Sequence, residues 1–159
     1  LARPNLKQRL LNKPTSLDEY SATLILAVTN WQETAIFHVG DGYGGAARIG
    51  LDGTIQDEVI SLPVNGEYDN ETYFFTDPKW RSSLRITVVD FPANFLFAMT
   101  DGADPFMISP SRDGLDKTLI SQLFEPLVKT EGFDISNVFS KDKVQKVTSD
   151  DSTLVLGVR

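Results

Sequence analysis

Residues 22–42 read ATLILAVTNWQETAIFHVGDG. Two apolar, β-prone runs, Ala22–Thr29 and Thr34–Gly40, flank a polar turn at Asn30–Glu33. Runs of this length and composition read as strands, and so short a connection pairs them antiparallel. The first run is almost wholly apolar and is expected to be a buried strand. The second leads into Asp41, which places a carboxylate in the loop at a strand end.

The pattern recurs twice. FLFAMTDG (Phe95–Gly102) carries an apolar run into Asp101, and SDDSTLVLGV (Ser149–Val158) sets Asp150 and Asp151 just before a last strand, Thr153–Val158. Between them, Ala46–Ile49 reads as a short strand, LDGT at Leu51–Thr54 as a hairpin turn, and Ile55–Leu62 as a continuation of the sheet. Thr72–Thr76 reads as extended and Ser83–Val89 as a strand. Pro63–Glu71 reads as a polar loop. The glycine-rich GDGYGG (Gly40–Gly45) lacks the spacing of a phosphate-cradling loop and reads as a flexible connection.

The period then changes. Leu115, Leu119, Leu123 and Leu127 recur every four residues, which predicts a helix interrupted late by Pro126. Asp134 suits the N-cap of a second helix through Ile135, Val138 and Phe139. Leu6, Leu10 and Leu11 predict a helix over Leu1–Lys13, stopped by Pro14. The sum is an α+β fold, an antiparallel β-sandwich flanked by helices, with residues 1–159 as a single domain.

Composition narrows the chemistry. The chain has 159 residues, a formal charge of −7 and no cysteine. That charge argues against a nucleic-acid binder, which needs a basic face. Without cysteine there is no disulfide, thiolate metal site or thiol nucleophile, which fits a reducing, cytoplasmic setting. No apolar run approaches a membrane span, so no membrane partner is expected. Carboxylates gathered at strand ends are hard oxygen ligands suited to Mg2+ or Mn2+. Any single Asp-Gly is ordinarily a solvated turn. Asp101 and Asp150 together favour metal binding, and Asp41 stands between the two readings. His38, the only histidine, lies within a strand and reads as structural. Arg112 reads as solvated, with a phosphate as the alternative partner.

In their order and spacing, SATLILAV, AIFHVGDG, FLFAMTDGADPF and SDDSTLVLGV resemble the metal-dependent protein phosphatases of type 2C. NGEYDNETYFFT and DGADPF resemble its bacterial branch. The resemblance implies a four-layer α-β-β-α sandwich that hydrolyses phosphoserine and phosphothreonine with Mg2+ or Mn2+ as cofactor. It implies Asp101 and Asp150 as metal ligands, Asp41 at an additional, weaker site, and Asp104 and Asp151 in supporting positions around them. It also implies a phosphoprotein substrate and a cognate serine/threonine kinase. Gly42 and Tyr43 stand where the family often has Ser-Arg, and Pro105 where it often has an acid. The family's N-terminal metal-bridging Asp-Gly has no counterpart before Tyr20. The chain is thus expected to be a C-terminal portion of a catalytic domain, needing a complementary N-terminal segment or prone to self-association. A non-catalytic, partner-binding relative is the alternative.

Overall fold

The computed structural model describes residues 8, 17–63, 72–130, 133–135, 139 and 146–159. The helix expected over Leu1–Lys13, most of the loop Pro63–Glu71 and most of the helix expected after Asp134 lie outside them. Seven strands form two antiparallel sheets. β1 (Leu24–Thr29), β2 (Thr34–Val39) and β5 (Arg85–Val89) make a three-stranded sheet in the order β1-β2-β5. β3 (Tyr43–Ile49), β4 (Ile55–Ser61), β6 (Phe95–Met99) and β7 (Leu154–Val158) make a four-stranded sheet in the order β4-β3-β6-β7.

Period-two alternation sends each strand's side chains to two destinations. Between the sheets, Ile36 and Val89 meet Ala46, with Ile25, Val59 and Leu96 packed around them. On the other face of the four-stranded sheet, Tyr43, Ala47, Phe95, Phe97 and Met99 pack with Met107, Leu115, Ile120 and Phe124. Ile120 and Phe124 belong to the long helix, Lys117–Lys129. Asp116 caps it, accepting from the Leu119 backbone N–H at 2.8 Å. Pro126 lies inside this helix and does not end it. Leu115 precedes it, bridging to Ile108. No helix among the described residues is long and apolar enough to cross a membrane.

Two expectations need correction. Ala22–Thr29 is not a buried strand. Leu24, Leu26 and Val28 of β1, joined by Ile86 and Val88 of β5, lie on the outer face of the three-stranded sheet and are exposed, Val88 by 72%. A run of aliphatic letters shows that a face is apolar, not that anything covers it. Nor is Gly40–Gly45 all connection, since β3 begins at Tyr43. The glycines there relieve crowding within a strand: a Cβ on Gly45 would lie 2.4 Å from the Phe97 ring and 2.6 Å from the Val59 carbonyl.

His38 is fully buried between the sheets. Its Nδ1 contacts Ser61 Oγ at 3.0 Å and accepts from Arg85 Nη2 at 2.8 Å. A guanidinium can only donate, so the ring is neutral with its proton on Nε2. Burial, reinforced by the Arg85 charge, pulls its pKa down from 6.5 to about 4. Between those values the unfolded chain binds a proton that the folded chain refuses. The stability held above pH 6.5 therefore falls as the pH drops, and is lost by about pH 4, with a slope of at most about 1.4 kcal/mol per pH unit. Urea titrations of wild type and His38→Gln between pH 7 and 5 should show the gap between them closing toward acid. A pH-independent gap would remove His38 from the account.

Candidate metal centre

Strand register brings the acidic loops to one end of the four-stranded sheet. Tyr43 pairs with Met99, so Asp41 just before β3 and Asp101 just after β6 leave the sheet at the same end. Met99 also pairs with Leu154, which delivers Asp150 and Asp151 there from the other side. The two loops are stitched together. Thr100 N–H donates to the Thr153 carbonyl at 3.1 Å. Thr153 N–H donates to Thr100 Oγ1 at 2.9 Å, and Thr100 Oγ1 donates to the Asp151 carbonyl at 3.2 Å. Ser152 Oγ donates to the Gly102 carbonyl at 2.7 Å. Gly102 sits so close to the second loop that a Cβ on it would be 3.1 Å from Asp150 Cβ.

The structure thus makes Asp101 and Asp150 neighbours, both exposed at this end. Asp101 Oδ1 accepts from the Gly102 N–H at 2.9 Å, which orients the carboxylate at the start of a short 3-10 turn, Asp101–Ala103. Asp41 shares a cleft of about 200 Å³ with Asp101, lined also by Thr23, Thr100 and Thr153. Thr72 Oγ1 donates to Asp41 Oδ2 at 2.8 Å, a partner that no local sequence signal announces. Asp150 and Asp151 line a larger neighbouring cleft of about 570 Å³, with Phe106, Phe139 and Leu154 on its apolar side.

Asp104 is engaged elsewhere. Its Oδ2 accepts from the Tyr43 hydroxyl at 3.1 Å and from Arg112 Nη2 at 3.2 Å. Burial, with the Asp104 charge adding to it, pushes the Tyr43 hydroxyl pKa up. Asp104 therefore acts as an anchor one helical turn from Asp101. Arg112 holds that anchor from outside, on a left-handed backbone with φ of 58°. The sequence reading left Tyr43 in a loop and so missed this partnership.

Hard carboxylate oxygens suit Mg2+ or Mn2+ in kind. In number they fall short: among the described residues no three Asp, Glu, His or Cys side chains converge to hold an ion. Asp101 and Asp150 are the carboxylates that the hydrogen-bonded loops bring to one sheet end.

Comparison with known proteins follows the same line. The family profile for protein phosphatase 2C matches residues 2–145. No curated protein sequence matches the chain. Two crystal structures of a bacterial serine phosphatase are similar to it, one with an arginine-to-glutamate and one with an arginine-to-alanine mutation. They share 15% and 18% identity, each with a TM-score of 0.47 over 87% of this chain. The chain spans about half of their length, 54% and 53%. By the family profile, the chain belongs to the protein phosphatase 2C family.

Proposed function

We propose that this chain is part of a metal-dependent protein serine/threonine phosphatase, acting on phosphoserine and phosphothreonine in a protein substrate. The observation that carries the reading is the adjacency of Asp101 and Asp150, fixed by the Thr100–Thr153 and Ser152–Gly102 hydrogen bonds, in a chain of this family. In such a site Mg2+ or Mn2+ supplies water activation and charge neutralisation. The chain's own part is to hold two carboxylates at one sheet end, with Asp41 beside them for a weaker ion. The remaining ligands come from outside the described residues.

The test is Mn2+ titration of the chain by calorimetry, beside phosphate release from a phosphoserine peptide with Mn2+ or with EDTA. Asp101→Asn and Asp150→Asn remove anionic ligands at constant size. Each should weaken Mn2+ by roughly tenfold or more, since even groups behind the ligands cost that much. Asp151→Asn should cost less than either, because Asn keeps a carbonyl oxygen to accept in a supporting position. The reading is falsified if Asp151→Asn proves the damaging change and Asp101→Asn is silent. That no three ligands converge among the described residues favours a second reading, a binding module without catalysis. Peptide binding with no phosphate release at any Mn2+ concentration would select it.

A further inference from the structure

Arg85 opens β5 and lies in register with His38. Its Nη2 donates to that neutral ring, but its Nε is buried without a partner. Burial lowers the guanidinium pKa, and among the described residues no carboxylate pairs with it. The ion pairs among the described residues join Arg48 to Asp57, Arg112 to Asp104 and Lys129 to Glu125, leaving Arg85 out. His38, fully buried behind it, is uncharged and has an unpartnered Nε2. A half-buried cation facing a neutral partner carries a desolvation cost that an anion would offset.

In front of Arg85 lies a cleft of about 580 Å³, lined also by Tyr73, Asp77, Lys79, Ser82 and Ser83. Among the described residues its one carboxylate is Asp77, whose Oδ1 accepts from the Lys79 backbone N–H at 2.6 Å. Ser82 Oγ donates to the Lys79 carbonyl at 2.7 Å, which closes the turn that carries Lys79. The residues around this one space therefore carry a guanidinium, an ammonium and hydroxyls, with Asp77 as the acid among them.

We propose that this cleft is an oxyanion site that takes a phosphate group, bound by the Arg85 guanidinium and the Lys79 ammonium. With Nη2 held by His38 and Nε buried, the guanidinium offers a phosphate its remaining N–H groups and its charge, and lysine adds a point charge. The cleft shares no lining residue with the acidic clefts, although Thr72, the neighbour of its Tyr73, donates to Asp41. Its volume admits a phosphorylated side chain as readily as free phosphate, and the shared chemistry is the phosphate dianion.

Calorimetry on the whole chain in EDTA, which removes any phosphate binding through metal, tests this. The probes are inorganic phosphate, a phosphoserine peptide and its unphosphorylated twin. Wild type should bind phosphate. Arg85→Gln should lose about tenfold or more and Lys79→Gln a few-fold, as befits a half-buried guanidinium against a surface ammonium. Asp101→Asn should bind as wild type. Phosphopeptide binding well above that of free phosphate assigns the cleft to a phosphorylated side chain, and equal affinities assign it to the free ion. Without phosphate, Arg85→Gln should be no less stable than wild type, because it deletes an uncompensated charge. Three outcomes overturn the proposal: no binding of either phosphate probe, unchanged binding by Arg85→Gln, or an Arg85→Gln chain destabilised in phosphate-free buffer. Because metal is absent throughout, failure here leaves the phosphatase reading untouched.

Discussion

Truncating Phe95 to alanine is expected to cost about 3–5 kcal/mol of folding stability. Phe95 is fully buried at the centre of the four-stranded sheet. It lies opposite Ala47 on one side and Val158 on the other. Its ring meets Phe97 at 6.4 Å and Phe124 of the long helix edge-on at 6.3 Å. It therefore joins three strands to the helical layer. Removing it leaves a cavity among rigid strands that cannot collapse to fill it, and the folding equilibrium should shift by two or more orders of magnitude, as about 1.4 kcal/mol is tenfold. Urea unfolding measures this directly. Phe95→Leu, which keeps most of the volume, should recover a large part of the loss. Val88→Ala, on the open outer face, should stay within about 0.5 kcal/mol of wild type. Equal costs at Phe95 and Val88 would mean that the outer face is covered and the assigned core is wrong.

Gly102→Ala should damage stability and metal affinity together. The added Cβ would stand 2.7 Å from the Asp151 carbonyl oxygen and 3.1 Å from Asp150 Cβ. The closer of these is backbone, so the loop before β7 must move away. At an unstrained site, replacing glycine with alanine stabilises by roughly 0.4–1 kcal/mol through the unfolded chain. Here the sign should reverse, to a loss of about 1–3 kcal/mol as in other overpacked sites. Mn2+ binding should weaken with it, because the displaced loop carries Asp150. A Gly102→Ala chain that gains stability and keeps its Mn2+ affinity would show that the two loops do not touch.

The strands were legible because alternation and short polar turns leave few other ways to bury these runs. LDGT marked a turn where Gly53 indeed has a positive φ of 79°. The acidic ends of β2, β6 and β7 were legible for a related reason: Asp41 and Asp101 close apolar runs, and Asp150 stands just before one. The exposure of Leu26 and Val28 is not written in the run itself, since letters record what a face would prefer and not what it meets; only the resemblance, with its expected complementary segment, allowed for an open apolar face here. The start of β3 at Tyr43 was hidden because glycine reads locally as freedom, while the demand for it came from Phe97, far along the chain. Arg85 was passed over as one charged letter inside a strand. Only the register with His38 shows that it reaches inward, with no counter-charge among the described residues.

The pairing of β6 with β7 bears on when the acidic end comes into being. β1 and β2 meet across a tight turn, Thr29 opposite Thr34, and can zip as soon as both exist. Met99 must find Leu154, and Phe95 must find Val158. Such distant pairings close large loops and tend to come late in folding. Asp101 and Asp150 therefore become neighbours at the end of the reaction. A chain caught partway, with its hairpins formed and its last strand loose, carries every residue of the carboxylate pair and none of its geometry. Competence at this end is thus a clock as much as a place: it starts when the last strand docks, and it stops when that strand frays.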